Sequence, residues 1–114
     1  MKVWFERYPR RLEEELSALD NAGYKYAIDA DERSNGRLVL RVSYPLGNAE
    51  HELIARFPDT YPYFPFEIES STFPGGRHQD PYSGLLCVLK DPHQNWRTDD
   101  TLAGFLGTQV AAIA

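Results

Sequence analysis

Apolar residues at Phe5, Tyr8, Leu12, Leu16 and Leu19 are spaced by threes and fours, which draws one stripe down a helix. Pro9 suits the first turn of that helix, and Asn21-Ala22-Gly23 suits its end. Between Tyr24 and Asp29 the period changes to two, with Tyr24, Tyr26 and Ile28 on one side and Lys25, Ala27 and Asp29 on the other, as in a half-buried strand. Ser34-Asn35-Gly36 marks a turn. Leu38, Leu40, Val42 and Tyr44 predict a second strand, and after Leu46-Gly47-Asn48 a third runs through Leu53 and Ala55 to Phe57. Phe66 and Ile68 opposite Glu67 and Glu69 predict a fourth. The short links make the four strands an antiparallel meander behind one helix.

Between the third and fourth strands lies Phe57-Pro58-Asp59-Thr60-Tyr61-Pro62-Tyr63-Phe64-Pro65-Phe66. Its prolines forbid a helix and a central strand, so it is read as an ordered loop. Its aromatics Phe57, Tyr61, Tyr63, Phe64 and Phe66 are expected to pin it onto the core. From Ser71 to Trp96 no period is sustained, while Phe73, Tyr82, Leu85, Leu86, Val88, Leu89 and Trp96 supply apolar anchors, the mark of a tethered functional loop. Thr98, Asp99 and Asp100 are expected to cap a last helix carrying Leu102, Phe105, Leu106, Val110 and Ile113. That apolar pattern is still running at Ala114, so the natural chain is expected to continue or to have been cut there.

The length of 114 residues bounds the chain to one domain, 1-114. With 12 basic and 17 acidic residues the net charge is -5, which argues against nucleic acid as a partner and reads as ordinary solubility. No stretch is apolar enough to span a membrane, and the start Met1-Lys2-Val3-Trp4-Phe5 lacks the apolar region of a secretion signal, so a cytoplasmic location is the default expectation. Arg7, Arg10 and Arg11 gather at the front of the first helix ahead of Glu13, Glu14 and Glu15. Such a split is most simply a solvated face, and a basic helix start is also a surface on which a partner can dock.

Cys87 is the sole cysteine, which excludes an internal disulfide and fits a reducing compartment. Flanked by Leu86 and Val88, a lone cysteine reads first as a small buried hydrophobe. Its placement in the irregular stretch, with His78, Asp80 and Gly84 upstream and His93 downstream, opens a chemical role. Neither a metal site on His78, Cys87 and His93 nor a cysteine-protease pairing of Cys87 with His93 is supported by ligand spacing or by a third orienting group. No metal and no cofactor is expected.

The order of these features resembles the ubiquitin-conjugating enzyme family. The resemblance is carried by Phe57-Pro58, Tyr61-Pro62, Pro65, His78, Gly84, Cys87, Trp96 and Thr101-Leu102, and it covers essentially the whole chain. It implies an α+β, UBC-like fold with an N-terminal helix, a four-stranded antiparallel meander, an irregular active-site stretch and a C-terminal helix. It implies a transferase in which Cys87 accepts the C-terminus of a ubiquitin-like or other protein as a thioester from an activating enzyme, encoded nearby or fused, and passes it to an amine. A thiolate suits that task, being a strong nucleophile whose acyl adduct stays reactive. Arg7, Arg10 and Arg11 match in type and place the residues that dock the activating enzyme, and Tyr63 stands where the family presents an aromatic to ligases.

His78-Gln79-Asp80 departs from the family's His-Pro-Asn tripeptide and lies one residue closer to the cysteine. Asp80 then stands for an asparagine that orders the loop and stabilises an oxyanion, although an ionised carboxylate has no proton to donate. It is expected instead to orient or deprotonate the incoming amine, with His78 buttressing the loop by hydrogen bonds. Departures of this size in a compact chain resemble the bacterial branch of the family, whose members often sit in antiphage defence operons. The alternative is a non-catalytic binding module on the same fold: the retained cysteine favours the enzyme, and the altered tripeptide favours the module.

Overall fold

The computed structural model describes residues 2–86 and 96–113. The apolar stripe at the N-terminus forms two helices rather than one, Trp4–Arg7 (α1) and Pro9–Ala22 (α2), because Tyr8 adopts a non-helical backbone with φ -126° and ψ 66°. Pro9 has no N–H to satisfy and takes the first turn of α2. Gly23 ends it, with the Tyr24 N–H reaching back to the Leu19 carbonyl at 3.0 Å.

Lys25–Ile28 (β1), Leu38–Leu46 (β2), Ala49–Phe57 (β3) and Glu67–Glu69 (β4) form one antiparallel sheet in the order β1-β2-β3-β4. The architecture is therefore α+β, with the meander and the N- and C-terminal helices in the order the periodicity predicts. Leu46 faces Ala49 across the Gly47-Asn48 turn, and that register sets Leu38, Leu40 and Val42 against Phe57, Ala55 and Leu53. These side chains are all buried, and with Ile68 of β4 they form the floor of the core. The opposite face carries the ion pairs Arg41–Asp29, Arg41–Glu52 and Arg56–Glu69, together with Val39, which is buried. Between β1 and β2 lies a helical turn that the sequence reading left unassigned, Ala30–Ser34 (α3). Asp29 caps it by accepting the Glu32 N–H at 3.1 Å.

The proline loop is closed by its own backbone, Tyr61 N–H to Pro58 O at 3.0 Å and Tyr63 N–H to Thr60 O at 2.9 Å, and carries a cis bond at Tyr61-Pro62. The Trp4 N–H donates to Asp59 Oδ1 at 2.9 Å, and Trp96 Nε1 donates to Pro62 O at 2.7 Å. Phe57, Tyr61 and Phe66 are buried with Trp4, Trp96 and Phe105 in one aromatic cluster. The expectation that all five loop aromatics pin it to the core is corrected here, since Tyr63 is 65% and Phe64 50% exposed. The loop has only one core-facing side, and in this conformation those two residues fall on the other.

The C-terminal helical segment starts at Leu102–Phe105 (α4), passes through a π-helical stretch at Leu106–Val110 and ends in Ala111–Ile113 (α5). Its N-cap is Thr101, whose hydroxyl accepts the Gly104 N–H at 3.1 Å, rather than Thr98, Asp99 or Asp100. Asp100 instead accepts the Arg97 N–H at 2.9 Å in the preceding turn.

These parts meet at Glu15, which is wholly buried although the charge pattern assigns it to a solvated face. Its carboxylate accepts the Tyr61 hydroxyl and the Leu102 N–H, the latter at 3.0 Å, and lies 3.3 Å from Arg11 Nη2. Arg11, with its side chain 10% exposed, also donates to the Tyr61 hydroxyl at 2.8 Å and to the Asp100 carbonyl. Burial pushes the Glu15 carboxyl above its ordinary value of 4.5, against the lowering effects of Tyr61, the Leu102 N–H and Arg11.

Removing the carboxylate leaves Arg11, Tyr61 and the Leu102 N–H without their shared partner, so Glu15→Ala is expected to lower unfolding free energy by about 3–5 kcal/mol, measured by urea denaturation. Because folding raises this pKa, the folded state retains a proton that the unfolded chain has released once the pH passes 4.5. The contribution of Glu15 to stability therefore falls as pH rises from there through the raised value, and Glu15→Gln should flatten that part of the stability curve.

Gly84 generates a second expectation. Its φ is +76°, and a Cβ added there would lie 2.5 Å from the Ser70 carbonyl oxygen. Gly84→Ala should cost more than about 1 kcal/mol, read as a lower urea midpoint at unchanged m.

Candidate functional site

The irregular stretch after β4 is built by a few specific contacts. The Ser70 hydroxyl accepts the Phe73 N–H at 3.1 Å, starting a turn that buries the Phe73 ring. Gly76–His78 make one turn of 3-10 helix, and the chain then returns along β4 through isolated bridges, Glu69 with Leu85 and Gln79 with Leu86. Leu86 N–H donates to Ile68 O at 2.8 Å and Ser70 N–H to Gly84 O at 3.0 Å, so the segment entering Cys87 is laid against the sheet edge. Cys87 itself lies outside the described residues, as does His93.

His78 is exposed at the end of the 3-10 turn. Its backbone N–H reaches Gly75 O at 3.0 Å, and its imidazole has no hydrogen-bond partner among the described residues. Among the described residues, hydrogen bonds of the bracing kind expected from His78 are made by the residue beside it. Gln79 Nε2 donates to Ser70 O at 2.7 Å and to Gly84 O at 3.0 Å, while its Oε1 accepts the Gly75 N–H at 3.2 Å. Sequence reasoning passed over Gln79 because it read position 79 only as a missing proline. The available signal was a carboxamide, which both donates and accepts, among glycines in a stretch lacking regular partners.

Asp80 closes the next turn. Its carboxylate accepts the Ser83 hydroxyl at 2.7 Å and the Tyr82 N–H at 3.1 Å, and its backbone is tied to Leu85 O and Gly84 N. The Ser83 hydroxyl, and then the Tyr82 N–H, hold its pKa below the ordinary carboxylate range. It therefore remains charged near neutrality, which suits holding an ammonium group more than taking its proton. Gln79 and Asp80 line a groove of about 510 Å³ together with Glu52, Glu69 and Ser71, and the nearly fully exposed Tyr82 stands at its rim.

The other predicted residues lie together on a second surface. Arg7, Tyr8, Arg10 and Tyr63 line a shallow depression of about 500 Å³ between the start of α2 and the proline loop. Arg7 donates to Asp59 O and Lys2 O, each at 3.1 Å. Arg10 is exposed with no ion pair among the described residues, and Tyr63 projects beside it. The neighbouring Tyr8 hydroxyl, by hydrogen bond and by charge, pushes the Tyr63 phenol up. Arg11 borders the same depression, but its guanidinium is turned inward to Glu15, Tyr61 and Asp100. No His/Cys/Asp/Glu group able to hold a metal ion occurs among the described residues, and no helix among them is long and apolar enough to cross a membrane.

No protein-family model matches the chain, and no solved structure matches it significantly. Among curated proteins it is similar to the uncharacterized protein y4oA of Sinorhizobium fredii, with 25% identity over 113 residues and 96% of this chain covered. The chain spans 18% of that protein's length.

Proposed function

We propose that the chain is a ubiquitin-like conjugating domain that carries a protein C-terminus as a thioester on Cys87. The observation that supports this reading is the order of parts along one chain. A leading helix and a four-stranded antiparallel meander precede a proline loop folded back on the core. An irregular segment anchored along β4 then runs into Cys87, and a helix opening at Thr101-Leu102 follows. In the proposed reaction the Cys87 thiolate attacks the activated C-terminal carbonyl, the thioester forms and the activating group departs. The ammonium form of the incoming amine releases one proton to water, the neutral amine attacks the thioester, an amide forms as the thiolate leaves, and the second proton also passes to water. In this reading Asp80, whose carboxyl is held charged beside the groove, binds the ammonium form of that amine before the proton is released.

Arg7, Arg10 and Tyr63 serve as the docking surface for an activating enzyme or ligase in this reading, and Arg11 serves the fold. We extend the proposal to a bacterial, cytoplasmic conjugation system, with a part in antiphage defence, on the strength of the altered His78-Gln79-Asp80 tripeptide. The second reading, a non-catalytic binding module, is favoured by Asp80: its carboxylate is committed to Ser83 and Tyr82 where the family has an asparagine.

A non-reducing gel of tagged protein from its native host separates the two readings. The carrier reading expects a heavier band that thiol reductant removes and Cys87→Ala abolishes, with Cys87→Ser trapping a reductant-resistant ester. Absence of any adduct, with the activating enzyme supplied, would leave the binding module. Charge reversal at Arg10, which carries no ion pair that the fold uses among the described residues, should slow loading of Cys87 about tenfold at low salt and less at high salt. An unchanged loading rate would remove that surface from the docking role.

A further inference from the structure

The stretch after β4 contains one side chain whose carboxamide makes three hydrogen bonds, all to backbone and all within the stretch. Gln79 Nε2 bridges the carbonyls of Ser70 and Gly84, and Oε1 receives the Gly75 N–H. Two glycines make room for this arrangement. A Cβ on Gly75 would lie 2.8 Å from Gln79 Cβ and 3.0 Å from its Oε1, and a Cβ on Gly84 would lie 2.5 Å from the Ser70 carbonyl oxygen that the carboxamide binds. The backbone of Gln79 also pairs with Leu86, whose N–H is held by Ile68 O at 2.8 Å. One side chain thus ties the exit of β4, the 3-10 turn and the returning strand to one another.

We infer that Gln79 is the positioning residue of the site: its two N–H bonds to Ser70 and Gly84 fix the segment Gly84–Leu86 from which the chain enters Cys87. The geometry gives the role to the donors. Ser70 O and Gly84 O both point at one nitrogen, and an acceptor placed there would face two acceptors. The inference rests on the carrier reading for its purpose, and not for its test.

The sole cysteine makes the test specific, because a small aromatic disulfide reagent reports on Cys87 alone. The second-order rate of that reaction is compared among wild type, Gln79→Glu and Gln79→Leu, each divided by the wild-type rate at the same pH. Gln79→Glu keeps the shape and loses both donors when ionised, so at about pH 8 its ratio should depart from unity by about three- to tenfold, the range set by one or two lost hydrogen bonds. Near pH 4 to 5, where a glutamic acid regains a proton to donate, the ratio should return toward unity (about 4.3 is the ordinary pKa). Gln79→Leu, which never donates, should depart at both pH values. Ratios of unity for both variants overturn the inference, and so does a Gln79→Glu ratio that departs equally at both pH values, which would reflect packing rather than donation. Failure to find a thioester adduct in the host would overturn the carrier reading while leaving this result standing.

Discussion

The buried carboxylate of Glu15 is the constraint on which the arrangement depends. A charged group removed from water must have its lone pairs satisfied, and no single element here can do that. Tyr61 comes from the proline loop, the Leu102 N–H from the first turn of the last helix, and Arg11 from α2 itself, one turn before Glu15. The carboxylate therefore fixes how three elements distant in sequence meet. Arg11 extends the network to the Asp100 carbonyl, just before the Thr101 cap, so the last helix is held at its start both by its own cap and by α2.

Around that polar centre the aromatic rings supply the bulk. Tyr61 contributes its ring to the cluster of Trp4, Phe57, Phe66 and Trp96 while its hydroxyl serves Glu15. Because that ring and that hydroxyl belong to one side chain, the loop cannot slide along the core without breaking the network. The indole of Trp96 repeats the device at Pro62, packing with Phe66 and Phe105 while donating to the loop backbone. The result is a rigid face from which Tyr63 projects, beside an irregular stretch held by the carboxamide of Gln79.

Periodicity was enough to read the helix stripe, the four strands and their sequential pairing, because each strand has one wet and one dry face and a register slip would invert both. It was not enough for Glu15, whose neighbours Glu13 and Glu14 are exposed and whose burial is decided by Tyr61 and Leu102, far away in sequence. The helical turn at Ala30–Ser34 escaped because five residues are too few to show a period, although Asp29 and Glu32 carry the capping signal. At the candidate site, His78 and Asp80 could be picked out as residue types in an irregular stretch, but their contacts could not be read. The carboxamide of Gln79 marks it as able to brace an irregular stretch, but residue type does not say which backbone carbonyls, such as Ser70 O, it meets.

The three arginines around the junction of α1 and α2 look interchangeable in the sequence and are not so in the molecule. Arg11 is held through its Nη2, which alone reaches Glu15, Tyr61 and Asp100 in the interior of the fold. Arg10 has no such tie among the described residues, and Arg7 is held only at the exposed surface. Drift in sequence can therefore rewrite the outward charge of this helix, and with it the choice of what it meets, while the same chemistry one residue further on is locked to the survival of the fold.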